Sequence, residues 1–281
     1  MKRIVTVQDI SCFGKCSLTV ALPLISAMGV ECAVIPTAVL STHTGGFTGY
    51  TFRDLTDDIP AIESHWKSYN LKFDALYTGY LGSARQIDLM CHFFDTFGGE
   101  GTLRFVDPAM ADNGKMYAGF DDTFAMEMAK LCRRADIIVP NLTEATRMLG
   151  EEYVATGYDE AYIHDLLRRL HRELGCPTPV LTGVILGEKH GAMAYDSKAD
   201  TFISYFAPHL PYSLHGTGDT FSSVLVGALT GGHSMADALR IAVEFTHACI
   251  EVTAPDLANH AYGVKFEECI PLLVSLCKEK N

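Results

Sequence analysis

The 281-residue sequence is poor in basic residues, with 22 Lys and Arg against 34 Asp and Glu, and its formal net charge is -12. The basic residues form no long run, so we do not expect the protein to bind the phosphates of nucleic acid. A small phosphorylated ligand remains compatible with this charge, because a local nest of backbone N–H groups binds an anion even in an acidic protein.

Long apolar runs are also missing. No stretch reaches the roughly eighteen uncharged apolar residues that a membrane span needs. The N-terminal segment MKRIVTVQDISCFG is interrupted by Gln8 and Asp9, which favours a first strand over a signal peptide. We therefore expect a soluble protein with no membrane partner.

The cysteines form neither a disulfide pattern nor a zinc pattern. The nine cysteines are odd in number and spread along the chain, mostly among apolar residues. This distribution is typical of free thiols in a reducing cytoplasm. Cys12 and Cys16 are close in sequence, but no second close pair follows, so a zinc site is not expected. The cysteines thus indicate a cytoplasmic location.

Two nucleotide-binding signatures are absent. A nicotinamide dehydrogenase needs G-x-G-x-x-G after its first strand, where this chain reads DISCFGKCS. A P-loop enzyme needs G-x-x-x-x-G-K-[ST], which the chain does not contain. These absences argue against both classes of enzyme.

What the sequence does contain is a regular alternation of short apolar runs and longer helical patterns. The predicted strands are Arg3–Gln8, Cys32–Val39, Ala75–Gly79, Leu103–Val106, Asp136–Val139 and Val180–Ile185, with a hairpin of Ala192–Tyr195 and Thr201–Tyr205. The predicted helices are Ser17–Met28, Ala84–Phe97, Thr123–Arg134, Thr143–Leu149, Ala161–Leu174, Gly218–Leu229, Ser234–Val252 and Lys265–Lys278. The alternation predicts an α/β fold with a mostly parallel central sheet and helices on both faces. Since no flexible linker interrupts the chain, we expect one domain over residues 1–281.

Polar residues follow most of the predicted strands, where open parallel sheets bind their ligands. They are Asp9, Ser11, Thr42, His43, Thr44, Tyr80, Ser83, Asp107, Asn141 and Glu144. Each has a structural alternative: Asp107 precedes a proline and suits a turn, and Thr143 suits a helix N-cap with Glu144 in the first turn. His43 is also compatible with a hydrogen-bonding role in its loop.

The segment HGTGDTFSS, residues 215–223, places a carboxylate directly after two glycines and before a helical pattern. If the helix begins near Gly218, the N–H groups of Gly216, Thr217 and Gly218 point out of its first turn and form an anion hole. Asp219 would then stand beside a transferring phosphoryl group and accept the proton of an attacking hydroxyl. The alternative is a glycine turn in which Asp219 only stabilises the helix N-terminus.

Four other segments precede this one in a fixed order: THTGG at Thr42–Gly46, GYLGSARQ at Gly79–Gln86, VDPAM at Val106–Met110 and PNLTEA at Pro140–Ala145. The fifth motif is GTGD at Gly216–Asp219, within the segment itself. Together they resemble the motifs of the ribokinase superfamily of small-molecule kinases, and within it those of the pyridoxal and pyridoxamine kinases. The resemblance extends from TVQDIS to the final helices, and it implies a single ribokinase-like domain.

The resemblance implies ATP-dependent phosphorylation of the 5′-hydroxymethyl group of pyridoxal, pyridoxamine or pyridoxine. Asp219 would contact and deprotonate this group, while Gly216, Thr217 and Gly218 would form the anion hole. The implied ligands of Mg²⁺ are Asp107 and Glu144, and the implied contacts of the ATP phosphates are Asn141, Glu144 and Thr182. Thr44 and Tyr80 would line the pyridine pocket. The resemblance is also compatible with a K⁺ requirement and suggests a homodimer.

The chain departs from the closest pattern at two positions. Asp9-Ile10 stands where many pyridoxal kinases have Ser-His, and we hypothesise that the Asp9 carboxylate meets the ring nitrogen and favours a protonated pyridine. The second departure is His215, which precedes the glycine turn and has no role in the pattern.

Three other functions stay open. Hydroxymethylpyrimidine or its phosphate also carries a hydroxymethyl group on a small heterocycle, although DISCFGKCSL lacks the glycine-rich early segment typical of those kinases. A sugar kinase of the same superfamily would need an early Gly-Gly signature, which is not evident. A non-catalytic pyridoxal-binding protein would not need the intact GTGD.

Overall fold

The computed structural model describes residues 1–279. Within them, one nine-stranded sheet has the order β11-β10-β9-β8-β5-β4-β1-β2-β3, and β6 and β7 form a separate small hairpin. The strands are β1 (Arg3–Ser11), β2 (Glu31–Leu40), β3 (Phe52–Asp54), β4 (Ala75–Thr78), β5 (Leu103–Val106), β6 (Ala111–Asp112), β7 (Lys115–Met116), β8 (Ile137–Ile138), β9 (Thr178–Leu186), β10 (Lys189–Asp196) and β11 (Thr201–Pro208).

The centre of the sheet is parallel and its edges are antiparallel. Strands β2, β1, β4, β5, β8 and β9 run in the same direction, whereas β3 at one edge and β10 and β11 at the other run against their neighbours. The chain places β2 on one side of β1 and β4 on the other. The sheet therefore has a topological switch point at β1, where such folds form a ligand crevice outside the strand carboxyl ends.

Helices cover both faces because side chains of the central strands alternate between two apolar layers. On β4, Ala75 and Tyr77 face one layer and Leu76 faces the other. The helices are α1 (Leu18–Ala27), α2 (Ile59–Ser68), α3 (Ala84–Phe97), α4 (Asp122–Cys132), α5 (Leu142–Leu149), α6 (Glu160–Leu174), α7 (Thr217–Thr230), α8 (Met235–Thr253) and α9 (Phe266–Leu276), with a short 3₁₀ turn at Ala254–Asp256. Helices α2 to α6 belong to the same apolar layer as Leu76, and α1 and α7 to α9 belong to the same layer as Tyr77. Among residues 1–279, no helix is both long and apolar enough to cross a bilayer.

The predicted fold class is confirmed, and each predicted strand and helix corresponds to an observed one. The sequence analysis missed α2, the edge strand β3 and the hairpin of β6 and β7. All three residues of β3 are exposed, and α2 buries only Ile59 and Glu63. Such elements carry almost no apolar pattern, so periodicity does not reveal them.

The start of α5 differs from the predicted one. The N-cap is Asn141 and not Thr143, because the Asn141 side chain accepts the Glu144 N–H and the Glu144 carboxylate accepts the Asn141 N–H. The reciprocal pair is a capping box. Thr143 lies inside the helix, and its hydroxyl accepts a hydrogen bond from the Gly114 N–H at 2.9 Å.

Candidate active site

A cavity of ≈ 670 Å³ opens at the carboxyl edge of the sheet. Its walls include many of the residues singled out from the sequence: Asp107, Asn141, Glu144, Thr182, Gly216, Thr217, Gly218 and Asp219. These residues come from four separate parts of the chain, and the parallel strands bring them together. Asp9, Thr44 and Tyr80 do not line this cavity.

The glycine turn at the head of α7 is shaped for an anion. Gly216 is the N-cap residue and has a left-handed φ of 78°. A Cβ on Gly216 would lie 1.9 Å from the Lys15 carbonyl oxygen, so a side chain has no room there. The first N–H groups of a helix have no partner within the helix. The turn therefore presents free donors and the positive end of α7 to the cavity.

Asp219 is in the first turn of α7 and is partly open to the cavity. Burial, followed by repulsion from Asp107, raises the pKa of the Asp219 carboxyl to about 7, and a hydrogen bond from the Ser17 N–H opposes the rise. A carboxylate with a pKa near the working pH is well suited to accept a proton as general base.

Asp107 follows β5 and is almost fully buried beside the Asp219 carboxylate. The Ser222 hydroxyl donates a hydrogen bond of 2.7 Å to Asp107 Oδ2. Burial raises the pKa of Asp107 to about 6, and the Ser222 hydrogen bond limits that rise. The turn-forming alternative does not account for this contact, which joins Asp107 to the helix that carries Asp219.

Glu144 has a double role at the head of α5. Its two oxygens accept backbone N–H bonds from Met110 at 3.0 Å and from Asn141 at 2.9 Å. Burial, followed by repulsion from Asp107, raises the pKa of Glu144 well above the usual value. The capping box thus holds a buried carboxylate at the cavity wall. A structural role of Glu144 at the helix start is therefore compatible with a role in ligand binding.

The oxygen donors here match the chemistry of Mg²⁺. Asp107 and Glu144 are buried carboxyl groups of like charge that disfavour each other's ionisation, and a divalent cation would remove this conflict. Within residues 1–279, no group of three or more His, Cys, Asp or Glu side chains is arranged to hold a metal ion. The two carboxylates fit an ion whose coordination is completed by water and phosphate oxygens, as Mg²⁺ prefers.

Thr182 lies in the middle of β9, beside a register shift in the pairing of β9 with β10. It pairs with Asn141 in an isolated parallel bridge, and its N–H donates to the Pro140 carbonyl at 3.0 Å. Gly183 then turns the chain with a φ of 67°. The hydroxyl-bearing Thr182 and the amide-bearing Asn141 are thereby placed side by side on the cavity wall.

Strand β1 carries a buried carboxyl group whose charge contributes to the raised pKa of Asp219. Asp9 is 5% exposed, and the Ser11 hydroxyl donates to its Oδ2 at 3.0 Å. The register between β1 and β2 shifts between Gln8 and Ile10, an irregularity of the kind that re-aims side chains beside active sites. Burial raises the pKa of Asp9, and hydrogen bonds from Ser17 and Ser11 oppose the rise.

The other two predicted pocket residues differ in their surroundings. Tyr80 stacks on Phe120 with ring centroids 5.7 Å apart, and burial, with the nearby Asp9 charge, raises its pKa to about 12. Thr44 is exposed. In the same loop the Thr42 hydroxyl is buried and has no hydrogen-bond partner among the described residues, so Thr42 is the threonine of this loop whose hydroxyl is enclosed by protein.

Two histidines connect the loops around the site. The His43 Nε2–H donates to the Tyr262 carbonyl at 2.9 Å, and its Nδ1 accepts the Gly45 N–H at 3.1 Å. Both ring nitrogens are engaged, which supports a structural role for His43. Its ring centroid lies 5.1 Å from that of His215. The His215 ring packs where a Cβ on Gly45 would be, 2.4 Å away, so His215 links the glycine turn to the Thr42–Gly46 loop.

The sequence analysis missed the far end of the cavity. Its wall there includes His190, His209, Tyr212 and His247. The His190 and His209 rings meet edge to face at 5.6 Å, and burial lowers the pKa of His190. These residues lie on β10, in the segment after β11 and on α8. They are outside the quoted motifs, so only the folded chain shows that they share the cavity.

Comparison with known proteins finds several kinases of similar sequence and fold. The family model for phosphomethylpyrimidine kinases matches residues 21–265. A protein of Bacteroides thetaiotaomicron, provisionally classed as a phosphomethylpyrimidine kinase and crystallised with pyridoxal, is 38% identical and superimposes with a TM-score of 0.91 over 97% of this chain and 95% of its own. Pyridoxal kinase from Lactobacillus plantarum is 30% identical, with a TM-score of 0.89 and 98% of each chain covered.

Curated sequences also include longer proteins. The probable thiamine biosynthetic bifunctional enzyme of Oryza sativa is 23% identical over 249 residues, which are 88% of this chain and 44% of that enzyme. The chain thus spans about half the length of the first curated relatives that it matches.

Proposed function

The chain belongs to the phosphomethylpyrimidine kinase family of the ribokinase superfamily, and we propose that it transfers the γ-phosphoryl group of ATP to the 5′-hydroxymethyl group of pyridoxal, pyridoxamine or pyridoxine. The observation that carries the proposal is the position of Asp219. It stands in the first turn of α7, beside the free N–H groups of the glycine turn and on the wall shared with Asp107.

Asp219 is the general base of the proposed reaction. Its carboxylate accepts the proton of the hydroxymethyl group as the oxygen attacks the γ-phosphorus, and the bond from phosphorus to the β–γ bridging oxygen breaks. The N–H groups at Gly216, Thr217 and Gly218 stabilise the charge on the phosphoryl oxygens. In this reaction the protein contributes mainly position and charge, which a rigid helix terminus supplies without reorganisation.

The nucleotide phosphates are proposed to lie between α7 and the ends of β8 and β9. Asn141, Glu144 and Thr182 face this space from one wall. Asp107 and Glu144 would hold Mg²⁺ through few direct bonds and through water, and Mg²⁺ would supply neutralising charge to the phosphates. The histidine-lined end of the cavity, at His190 and His247, is then left for the rest of the nucleotide.

The proposed acceptor is a pyridine because of Asp9. Its buried carboxyl group has too few donors to offset burial, since its pKa is raised in spite of the Ser17 and Ser11 hydroxyls. A protonated pyridine nitrogen would supply the missing donor and a positive charge. The pyridoxal bound to the Bacteroides relative, at 38% identity, supports the same acceptor class.

A pyrimidine acceptor is the second candidate. The matching family is described by its phosphomethylpyrimidine kinases, and the rice relative is a thiamine biosynthetic enzyme. Both acceptor classes present a hydroxymethyl group on a flat nitrogen heterocycle, so the same base and anion hole would serve either.

The test is turnover of ATP to ADP by the purified protein with Mg²⁺ and K⁺. Pyridoxal, pyridoxamine, pyridoxine, hydroxymethylpyrimidine and ribose are offered separately. The proposal predicts the highest kcat/KM with a pyridoxal-type vitamer. A higher kcat/KM with hydroxymethylpyrimidine would instead support the second candidate, a pyrimidine acceptor. Binding of pyridoxal without turnover of any acceptor would indicate a non-catalytic binding protein.

A further inference from the structure

Lys15 lies between the glycine turn of α7 and the segment that leads into α9. Its carbonyl oxygen packs against Gly216, where a Cβ would come within 1.9 Å of it. Its own Cβ packs against Gly263, where a Cβ would lie 2.5 Å away. Gly263 has a φ of 145°, and glycine is the residue that allows so close an approach in such a conformation. Lys15 is therefore enclosed by two segments that are distant from it in sequence.

The C-terminal segment holds Lys15 through three contacts. The Lys15 N–H donates to the Tyr262 carbonyl at 3.1 Å. The Lys15 ammonium group forms an ion pair with the Glu267 carboxylate, and its Nζ lies 5.2 Å from the centroid of the Phe266 ring. The Lys15 side chain is only 17% exposed, so solvent screens this ion pair less than a fully exposed one. Both the backbone and the side chain of Lys15 are thus fixed to the start of α9.

Direct contact with phosphate is the obvious role for a lysine beside an anion site, and the geometry argues against it here. The Lys15 ammonium is paired with Glu267 and packs on Phe266, and both of these residues belong to α9. Lys15 is not among the residues that line the cavity. What Lys15 presents to the glycine turn is its carbonyl oxygen and not its charge.

The glycine turn needs a constraint from outside α7. Glycine has more backbone freedom than any other residue, and fixing it costs conformational entropy. Within α7 the Gly216 carbonyl accepts the Thr220 N–H at 2.9 Å and the Thr220 hydroxyl at 2.7 Å. These bonds hold the carbonyl side of Gly216. The Lys15 carbonyl packs on the side of the Gly216 Cα where a Cβ would stand, so it limits rotation of the turn relative to the helix.

We infer that Lys15 is a positioning residue, whose carbonyl keeps Gly216 in the left-handed conformation on which the anion hole depends. The contacts with Tyr262 and Glu267 keep Lys15 in place. This inference rests on the proposed function, in which the N–H groups of the turn stabilise the transferring phosphoryl group. Preorganised donors of this kind act on charge that develops in the transition state. Loosening the turn should therefore lower kcat and leave binding of the acceptor unchanged.

Lys15→Met removes the ammonium group and keeps an apolar stem of similar length. We expect kcat for pyridoxal to fall about tenfold, less than the loss of a whole anion-hole donor would cause. The KM for pyridoxal should change by less than about twofold. Lys15→Arg keeps the charge and should restore most of the wild-type kcat. A raised KM at the wild-type kcat in Lys15→Met would contradict a role in the anion hole.

Lys265→Met is the matched control. The Lys265 side chain is also 17% exposed, and it pairs with Asp256 at 3.0 Å, close to the start of α9. Its substitution disturbs the same part of the chain and leaves in place the residue that packs against Gly216, so kcat should stay at the wild-type value. An equal fall in kcat in both variants would overturn the inference, because general loosening of the C-terminal segment would then be sufficient.

A double-mutant cycle tests whether the ion pair with Glu267 is the anchor. Glu267→Gln alone should lower kcat about as far as Lys15→Met, and the double variant should fall little further than either single one. Additive losses would show that the two residues act separately, which the inference does not allow.

Amide hydrogen exchange gives a readout that does not depend on turnover. The Thr220 N–H donates to the Gly216 carbonyl, so its exchange reports local opening of the turn. Exchange at Thr220 should be about tenfold faster in Lys15→Met and unchanged in Lys265→Met. Wild-type exchange in Lys15→Met would overturn the inference. If the wild-type protein turned over no acceptor, the proposed function would fail, and the exchange experiment would still decide whether Lys15 positions the turn.

Discussion

The Ser222 hydroxyl donates to the Asp107 carboxylate across 2.7 Å, and this contact joins β5 to the helix that bears Asp219. Asp219 and Ser222 are three residues apart on α7 and therefore lie on the same face of the helix. Asp107 is consequently held by the same element that presents the proposed base. The position of the proposed metal ligand and that of the base cannot change independently.

We predict that Ser222→Ala weakens the use of Mg²⁺ and ATP. Asp107 loses the donor that limits its raised pKa, so it is both less charged and less well positioned. Removal of a hydrogen bond to a buried charged group costs on the order of 2 kcal/mol, or about 30-fold. The Mg²⁺ concentration for half-maximal turnover at fixed ATP should rise by up to about 30-fold. Ser223→Ala, at the next and equally buried residue, is the matched control and should not shift it.

The pH dependence follows from the raised pKa of Asp219. Its folded-state pKa is about 7, well above the usual 3.8, and only the ionised form accepts a proton. The value of kcat/KM should therefore fall as the pH is lowered through about 7, since this ratio reports the free enzyme. Profiles with pyridoxine and with pyridoxamine separate titration of the protein from titration of the acceptor. An activity that is constant from about pH 6 to 8 with both acceptors would contradict the assignment.

Asp219→Asn should stabilise the folded protein. Because the folded-state pKa is raised, ionisation of Asp219 opposes folding, and this destabilisation develops as the pH rises from about 4 to about 7. The full pKa shift would correspond to about 4 kcal/mol. Because Asp219 is partly open to the cavity, we expect a gain in the free energy of unfolding on the order of 2 kcal/mol. Urea unfolding at several pH values measures it: the gain should be largest above about pH 7.5 and should vanish near pH 4.

The exposed Asp57 provides the control for that measurement. Asp57 pairs with Arg85 at the surface, where its side chain is 85% exposed, so Asp57→Asn should change the free energy of unfolding by less than about 1 kcal/mol. A gain of equal size in both variants would show that removal of any negative charge from this acidic protein is enough. The gain would then say nothing about Asp219.

Gly45→Ala should impair the acceptor site and spare the nucleotide site. The new Cβ would lie 2.4 Å from the His215 ring, so the Thr42–Gly46 loop or the histidine must move. We expect a severalfold rise in the vitamer KM with little change in the KM for ATP. The further substitution His215→Ala should restore part of the affinity because it frees the space. Gly99, whose Cβ position is open, gives Gly99→Ala as the control.

The sequence was informative where the site uses local chemistry. The GTGD motif predicts its turn, because both the left-handed residue at 216 and the helix start with its unpaired N–H groups are recognisable in the amino-acid sequence. Asp107 and Asn141 follow buried apolar strands, so the general rule for open parallel sheets places them at the ligand edge. Thr182 was implied only by the family resemblance, and the structure brings all three residues to one cavity.

The remaining features depend on contacts between distant segments. Nothing near Ser222 in the sequence indicates that it meets Asp107, which is 115 residues away. The contact of His215 with Gly45 is equally non-local. Thr143 was misassigned as the N-cap because Asn141 suits the cap equally well, and only the reciprocal bonds with Glu144 decide between them.

The most direct test of the account compares wild-type protein with Asp219→Asn in single-turnover phosphorylation of pyridoxal and in calorimetric binding of ATP with Mg²⁺. Asn keeps the size of the side chain but cannot accept the proton. We predict that phosphorylation falls by a factor of at least about 100, the usual contribution of a general base, while ATP affinity changes little. Phosphorylation at the wild-type rate in a variant that binds ATP normally would contradict the role of Asp219 and with it the proposed mechanism.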